Sequence, residues 1–267
     1  MPSSFNPIDQ KEYKEHKVFC TLDKMINFYK LLSFSVFSFL SHGVETLSGI
    51  DTYMFSSIQG TLESIKMILQ NGRINDAYAL LRKYYDSAII NIYSNAYLQD
   101  NFSENQLIVG KINNWLKGKD KLPEFKKMSE YIKTSEPLND LNNVFYAHDI
   151  YIRIRDRCNN HTHYNFYYYA LLNDNEIYME SRISALDALA QDLEKIFVLH
   201  LSYLFYLSDH YMASSDYRDA LELGLTPEED SQYFVAPFVQ EAFTEFIEKD
   251  NKILADLIKQ KTSMKLV

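Results

Sequence analysis

The chain has 267 residues, with 27 Lys and Arg against 36 Asp and Glu, for a formal net charge of -9. Hydrophobic residues make up 46% and charged residues 24%, a globular balance that excludes wholesale disorder. With 7 Gly and 6 Pro, turn formers are too scarce for sandwiches, propellers or doubly wound sheets, so an all-α helical bundle is expected. The glycines stand too far apart for any dinucleotide or P-loop phosphate cradle, which needs closely spaced Gly residues at a strand-to-helix turn.

In chain order, residues 1–20 read as an N-terminal segment and residues 21–267 as a single helical domain. The dense apolar content of residues 21–47 predicts a buried helix. Its richest part, residues 31–40 (LLSFSVFSFL), is shorter than the roughly 20 residues of a membrane span, and no signal peptide is visible. A cytoplasmic protein with no membrane contact is the expectation. Ile58, Leu62, Ile65, Ile68 and Leu69 keep helical spacing up to Asn71-Gly72. Ala77, Leu81, Tyr84, Ala88 and Ile92 then continue it in a helix over residues 74–98. Residues 111–133 hold seven lysines against Asp120, Glu124 and Glu130. Pro123 divides this zone into two short helices, and Lys117, Lys119 and Lys121 form a candidate phosphate-attracting patch.

Pro137 opens a helix whose stripe is read as Val144, His148, Tyr151, Ile152 and Arg155, ending near Asn159-Asn160. Residues 165–180 read as a small β-hairpin. Ser184 to Asp187 resembles a capping box for a helix running past His210. Thr226-Pro227-Glu228-Glu229 reads as another helix start. Phe243, Phe246, Ile247, Leu254, Leu257 and Ile258 place a last helix at the end. The aromatics, 15% of the chain, are read as core packing.

Chemistry concentrates in one place. Three of the chain's seven arginines, Arg153, Arg155 and Arg157, lie within five residues, close to His148, His161 and His163. Arginine offers a fixed fork of donors suited to phosphate, and histidine transfers protons near neutral pH. On a straight helix Arg157 and His161 share a face, whereas Arg155 and His161 stand about 120° apart. Those two converge only where the helix bends or ends at Asn159-Asn160, or where a second subunit completes the site. Arg155 and His163 are closer, at about 80°. Cys158, His161 and His163 supply three zinc-type ligands with no fourth nearby, so no metal and no cofactor is expected.

The run Arg155-Asp156-Arg157-Cys158-Asn159-Asn160-His161 resembles the motif of the HEPN superfamily, an arginine with a polar neighbour followed by a histidine after four to six residues. The resemblance implies a helical bundle that dimerises with its motifs facing each other. It also implies a metal-independent endoribonuclease of a prokaryotic defence or toxin–antitoxin system, with RNA as substrate and an antitoxin or defence protein as a further partner. By that resemblance Arg155 binds the scissile phosphate, His161 moves protons during attack by the 2′-hydroxyl, and Asp156 orients the arginine or the RNA. Arg153, Arg157, Asn160 and His163 are supporting or RNA-contacting groups. A tyrosine that partner enzymes modify in some members falls two places after the histidine. Here that place is His163 and the tyrosine is Tyr164. The alternative reading is a non-catalytic helical protein that binds a protein partner or RNA.

Overall fold

The structure is a computed structural model that describes residues 6–39, 41–45, 49–176 and 180–267. The fold is all-α. The helices are α1 (Lys11–Lys14), α2 (Lys17–Ser35), α3 (Ile50–Gln70), α4 (Ile74–Asn101), α5 (Gly110–Leu116), α6 (Phe125–Thr134), α7 (Asn139–Phe145), α8 (Ile150–Thr162), α9 (Tyr167–Leu171), α10 (Ser181–Leu207), α11 (Asp216–Glu222), α12 (Pro237–Ala242) and α13 (Lys252–Lys261). Among the described residues there is no sheet, and extended pairing is confined to isolated bridges such as Ala213 with Val235. No helix among them is long and apolar enough to cross a membrane.

The chain forms two compact units. The first comprises residues 1–29, 56–88 and 148–197. Its core follows the periodicity: Ile58, Leu62, Ile65 and Leu69 of α3, Ala77, Leu81, Tyr84 and Ala88 of α4, and Leu186, Leu189, Leu193 and Ile196 of α10 are fully buried. Each large aliphatic side chain so buried is worth about 1.5–3 kcal/mol. Much of the aromatic content packs here, with Phe197 edge-on to Phe28 at 5.2 Å and to Tyr29 at 5.6 Å between ring centroids. The N-terminal segment is tied in by Tyr13, whose hydroxyl donates to the Leu69 carbonyl at 2.6 Å. The turn between α3 and α4 is a Schellman closure. Gly72 sits at φ +74°, and Arg73 N–H donates to the Ile68 carbonyl at 3.1 Å.

The second unit comprises residues 30–55, 89–147 and 198–267. The lysine-rich zone forms two short helices, α5 and α6, as expected. Gly118 at φ +66° ends α5, and Met128 and Ile132 bury one face of α6. Lys117 pairs with Glu45, Lys111 lies 4.9 Å over the Tyr97 ring and Lys133 4.5 Å over Tyr146. Lys119, Lys121, Lys126 and Lys127 are exposed.

Several expectations need correction. Helix α2 runs from Lys17 to Ser35 and not to residue 47. Only one face of it is buried, through residues such as Val18, Leu22, Met25, Tyr29 and Leu32, while Phe34 is 84% exposed. The helix expected from Pro137 is two: α7 ends at Phe145, and α8 begins at Ile150. The break rotates the stripe, so the buried residues of α8 are Tyr151, Ile154, Cys158 and His161, with Ile152 52% exposed. The expected end at Asn159-Asn160 is also wrong, since α8 continues to Thr162.

In place of the first hairpin strand stands α9, curled because Tyr169 must turn inward. The second expected strand falls largely on residues 177–179, outside the described residues. Ser184 lies inside α10 and bonds back to the Ser181 carbonyl, so it caps nothing. That helix ends at Leu207, short of His210. No α-helix starts at Thr226, where irregular chain and a turn lead to a 3-10 helix at Ser231–Tyr233. The last helix is likewise interrupted. A π-helical turn, Phe243–Glu248, follows α12, and Asn251 caps α13 by accepting from Leu254 N–H at 3.0 Å.

Candidate functional site

Helix α8 packs antiparallel to the first half of α4. Going down α8 from His161 to Asn159 to Arg155, the partners on α4 climb from Asn75 to Arg82 to Asp86. These three motif side chains therefore meet α4 at separate levels.

His161 lies on the buried stripe and is 3% exposed. Its ring stacks on Tyr78, centroids 3.8 Å apart and planes 9° apart, and Tyr169 closes over it at 4.1 Å. Nδ1 is 2.6 Å from Asn75 Oδ1. The tautomer follows from the amide. Asn75 Nδ2 donates to the Tyr169 carbonyl, so Oδ1 faces the imidazole and Nδ1 must carry the proton. Nε2 is then the basic nitrogen. Burial, assisted by the nearby Arg157 guanidinium, pushes the imidazole down to about 4, so it is neutral at physiological pH.

The arginines have partners of their own. Arg157 forms a fork on Asp192, Nε to Oδ2 at 2.7 Å and Nη2 to Oδ1 at 3.4 Å. The Asp192 side chain is 1% exposed, and burial raises its carboxyl although Arg157 opposes the shift. Arg155 Nη1 donates to Asp86 Oδ1 at 2.8 Å. Arg82 pairs with the other Asp86 oxygen at 3.5 Å and donates to Asn159 Oδ1. Asp86 is thus bracketed by two cations, and both side chains of the Arg155 pair are partly exposed.

Among the residues singled out from sequence, the structure brings Arg157 and His161 together on one face. It does not bring Arg155 to His161 within the chain. Their α4 partners, Asp86 and Asn75, stand eleven residues apart, about 16 Å along the axis. Arg153, Asp156 and His163 are exposed. Asn160 accepts from Asn165 Nδ2 at 2.8 Å and anchors the Schellman end of α8, where Asn165 N–H reaches its carbonyl at 3.1 Å. Tyr164 takes the left-handed position there at φ 48°, which is uncommon for a bulky residue. Lys117, Lys119 and Lys121 belong to the second unit. Cys158 is buried and its thiol is pushed up to about 12 by that burial, which removes the thiolate that a nucleophile requires. Among the described residues no group of three His, Cys, Asp or Glu is placed to hold a metal ion.

Sequence reasoning missed Asn75, Tyr78, Arg82 and Asp86 on α4, Asp192 on α10, and Tyr169. Asp192 carried a legible signal, as a charge set directly before Leu193 on the apolar stripe of α10. It also missed an exposed aromatic run after the motif, with Tyr164 48%, Phe166 57%, Tyr167 79% and Tyr168 44% exposed.

No family model, curated protein or solved structure matches this chain.

Proposed function

We propose that the chain is a metal-independent endoribonuclease of HEPN type, serving a prokaryotic defence or toxin–antitoxin system, with its site at the α4–α8 seam. The observation that carries the reading is a neutral imidazole, held as the Nδ1–H tautomer by Asn75 and flanked by Arg157. A neutral ring offers Nε2 as the base that takes the proton of an RNA 2′-hydroxyl. Phosphate arriving beside it adds negative charge, which raises the imidazole's basicity as substrate binds. Arg155, partly exposed and set apart from His161 within one chain, would bind the scissile phosphate from a second copy and stabilise charge developing on it. Asp86 and Asp192 act as positioning residues for the two arginines. The exposed lysines of α6 and of the loop before it would add sequence-independent attraction to the RNA backbone.

The test is cleavage of a mixed single-stranded RNA in EDTA buffer by wild type, Arg155→Ala, His161→Ala and His163→Ala. Expected is a loss of about 10²–10⁴-fold for His161→Ala, a comparable loss for Arg155→Ala, and substantial activity in His163→Ala. If the two histidines behave the other way round, His163 takes the role. A wild type inactive on every RNA tried overturns the ribonuclease reading.

The second reading is a non-catalytic binding protein. It is favoured by the 3% exposure of His161 and by the carboxylate partners of Arg82, Arg155 and Arg157, an arrangement that also serves to clamp α4, α8 and α10 together. The exposed aromatic run at residues 164–168 would be its contact surface for a protein partner.

A further inference from the structure

The second unit contains a cavity of about 370 Å³ whose floor is the carboxylate of Asp51. Asp51 is 3% exposed and stands in the first turn of α3, where the positive end of the helix dipole holds a negative charge in place. Its hydrogen-bond donors are all neutral. Oδ1 accepts from Asn91 Nδ2 at 2.5 Å and from Asn95 Nδ2 at 2.9 Å, and Oδ2 accepts from the Tyr211 hydroxyl at 2.6 Å. Asn91 is held in turn by His200, its Oδ1 lying 2.9 Å from Nε2 of that fully buried ring. Among the described residues no Lys or Arg pairs with Asp51, and none lines the cavity. A carboxylate oxygen accepts about two hydrogen bonds, so Oδ2, which accepts from Tyr211, keeps one acceptor position, and Asp51 and Tyr211 both line the cavity.

Four of the lining side chains are aromatic rings. His42 lies 5.9 Å from Phe102 between centroids, and Phe102 is 41% exposed. His210 and Tyr211 also line it, the two rings meeting edge-on at 4.6 Å. A pocket with one buried anion, no cation and aromatic rings lining it selects positive charge, since the carboxylate and the ring quadrupoles both attract a cation. A bare divalent metal is excluded by chemistry, because it wants six or more oxygen ligands or several carboxylates. The volume lies in the range of small-molecule sites.

We infer that this cavity binds a small organic ammonium ion, its N–H donated to Asp51 Oδ2 and its apolar part lying among His42, Phe102 and His210. The site is separate from the α4–α8 seam and does not depend on the ribonuclease reading.

Calorimetric titration of the full chain with 2-phenylethylammonium chloride tests it, beside the neutral 2-phenylethanol. Expected is saturable 1:1 binding of the amine, with the alcohol at least about tenfold weaker, because it lacks the charge-assisted bond. Phe102→Ala should weaken the amine about threefold to tenfold, and Asp51→Asn should abolish its binding. Asp51→Asn also disturbs the internal bonds to Asn91, Asn95 and Tyr211, so the exposed Phe102 carries the test where that variant does not fold. No saturable binding at millimolar amine, equal binding of amine and alcohol, or unchanged affinity in Phe102→Ala would each overturn the assignment.

Discussion

At the residue scale, His161 links stability to pH whatever its chemical role. In the unfolded chain a histidine takes up its proton near pH 6.5, whereas the folded His161 resists until about 4. Between those values the unfolded state binds more protons, so stability rises with pH. The contribution is complete above about pH 6.5 and is lost as pH falls toward 4. Its size is on the order of 2 kcal/mol, allowing for residual solvent screening. His200, fully buried and pushed down to about 3 by burial, acts in the same direction. Glutamine at position 161 can still donate to Asn75 Oδ1 but does not titrate. Urea unfolding at about pH 7.5 and about pH 4.5 should therefore show wild type losing on the order of 2 kcal/mol more than His161→Gln. Equal losses would mean that the imidazole is protonated in the folded state well above 4.

At the element scale, what was legible followed from unbroken periodicity. Helices α3 and α4 have apolar stripes several turns long, and every residue named on them from sequence except the half-buried Ile68 is buried. The stripe of the motif helix does not continue from Val144 and His148, because a break between Phe145 and Ile150 separates α7 from α8. Started afresh at Tyr151, the spacing Tyr151, Ile154, Cys158, His161 is the buried face, and it places His161 in the core and Arg155 off it. Short elements escaped for a different reason. Tyr167–Leu171 alternates too poorly for a strand, and its helical turn is set by long-range contacts of Tyr169 with Asn75 and His161, which no local pattern reveals. Ser184 and Thr226 carry good capping chemistry that tertiary structure does not use.

Glycine offers a test at this scale. A Cβ on Gly72 would meet left-handed backbone strain and collide with Asn175 Oδ1 and with Ile8 Cγ2 at 2.7 Å. Gly60, inside α3, has nothing within 4 Å. Gly72→Ala should cost at least about 1–2 kcal/mol, while Gly60→Ala should gain about 0.5–1 kcal/mol. Thermal melts of the two variants should move in opposite directions. A Gly72→Ala protein as stable as wild type would show that the α3–α4 closure does not need the left-handed residue.

At the scale of the whole molecule, the continuity of α8 decides how the proposed site could be assembled. A bend at Asn159-Asn160 would have let one chain supply both groups, but the helix runs on to Thr162. Arg155 and His161 stay about 120° apart around it and engage α4 at levels about 16 Å apart. The remaining route is a homodimer in which the Arg155 of one copy faces the His161 of the other. A two-fold axis then creates two equivalent sites. Such an arrangement has a consequence that a single-chain site cannot imitate. Mixed after unfolding and refolding together, the inactive Arg155→Ala and His161→Ala chains form mixed dimers in which one of the two sites pairs an intact Arg155 with an intact His161. With random pairing, activity should return to about one quarter of wild type. If each site lay within one chain, every site in the mixture would lack one residue, and no activity would return. Sedimentation of the same mixture reports the dimer independently. A dimer with no recovered activity would place the two residues in the same chain's site or outside catalysis, and a monomer at micromolar concentration would remove the composite site altogether.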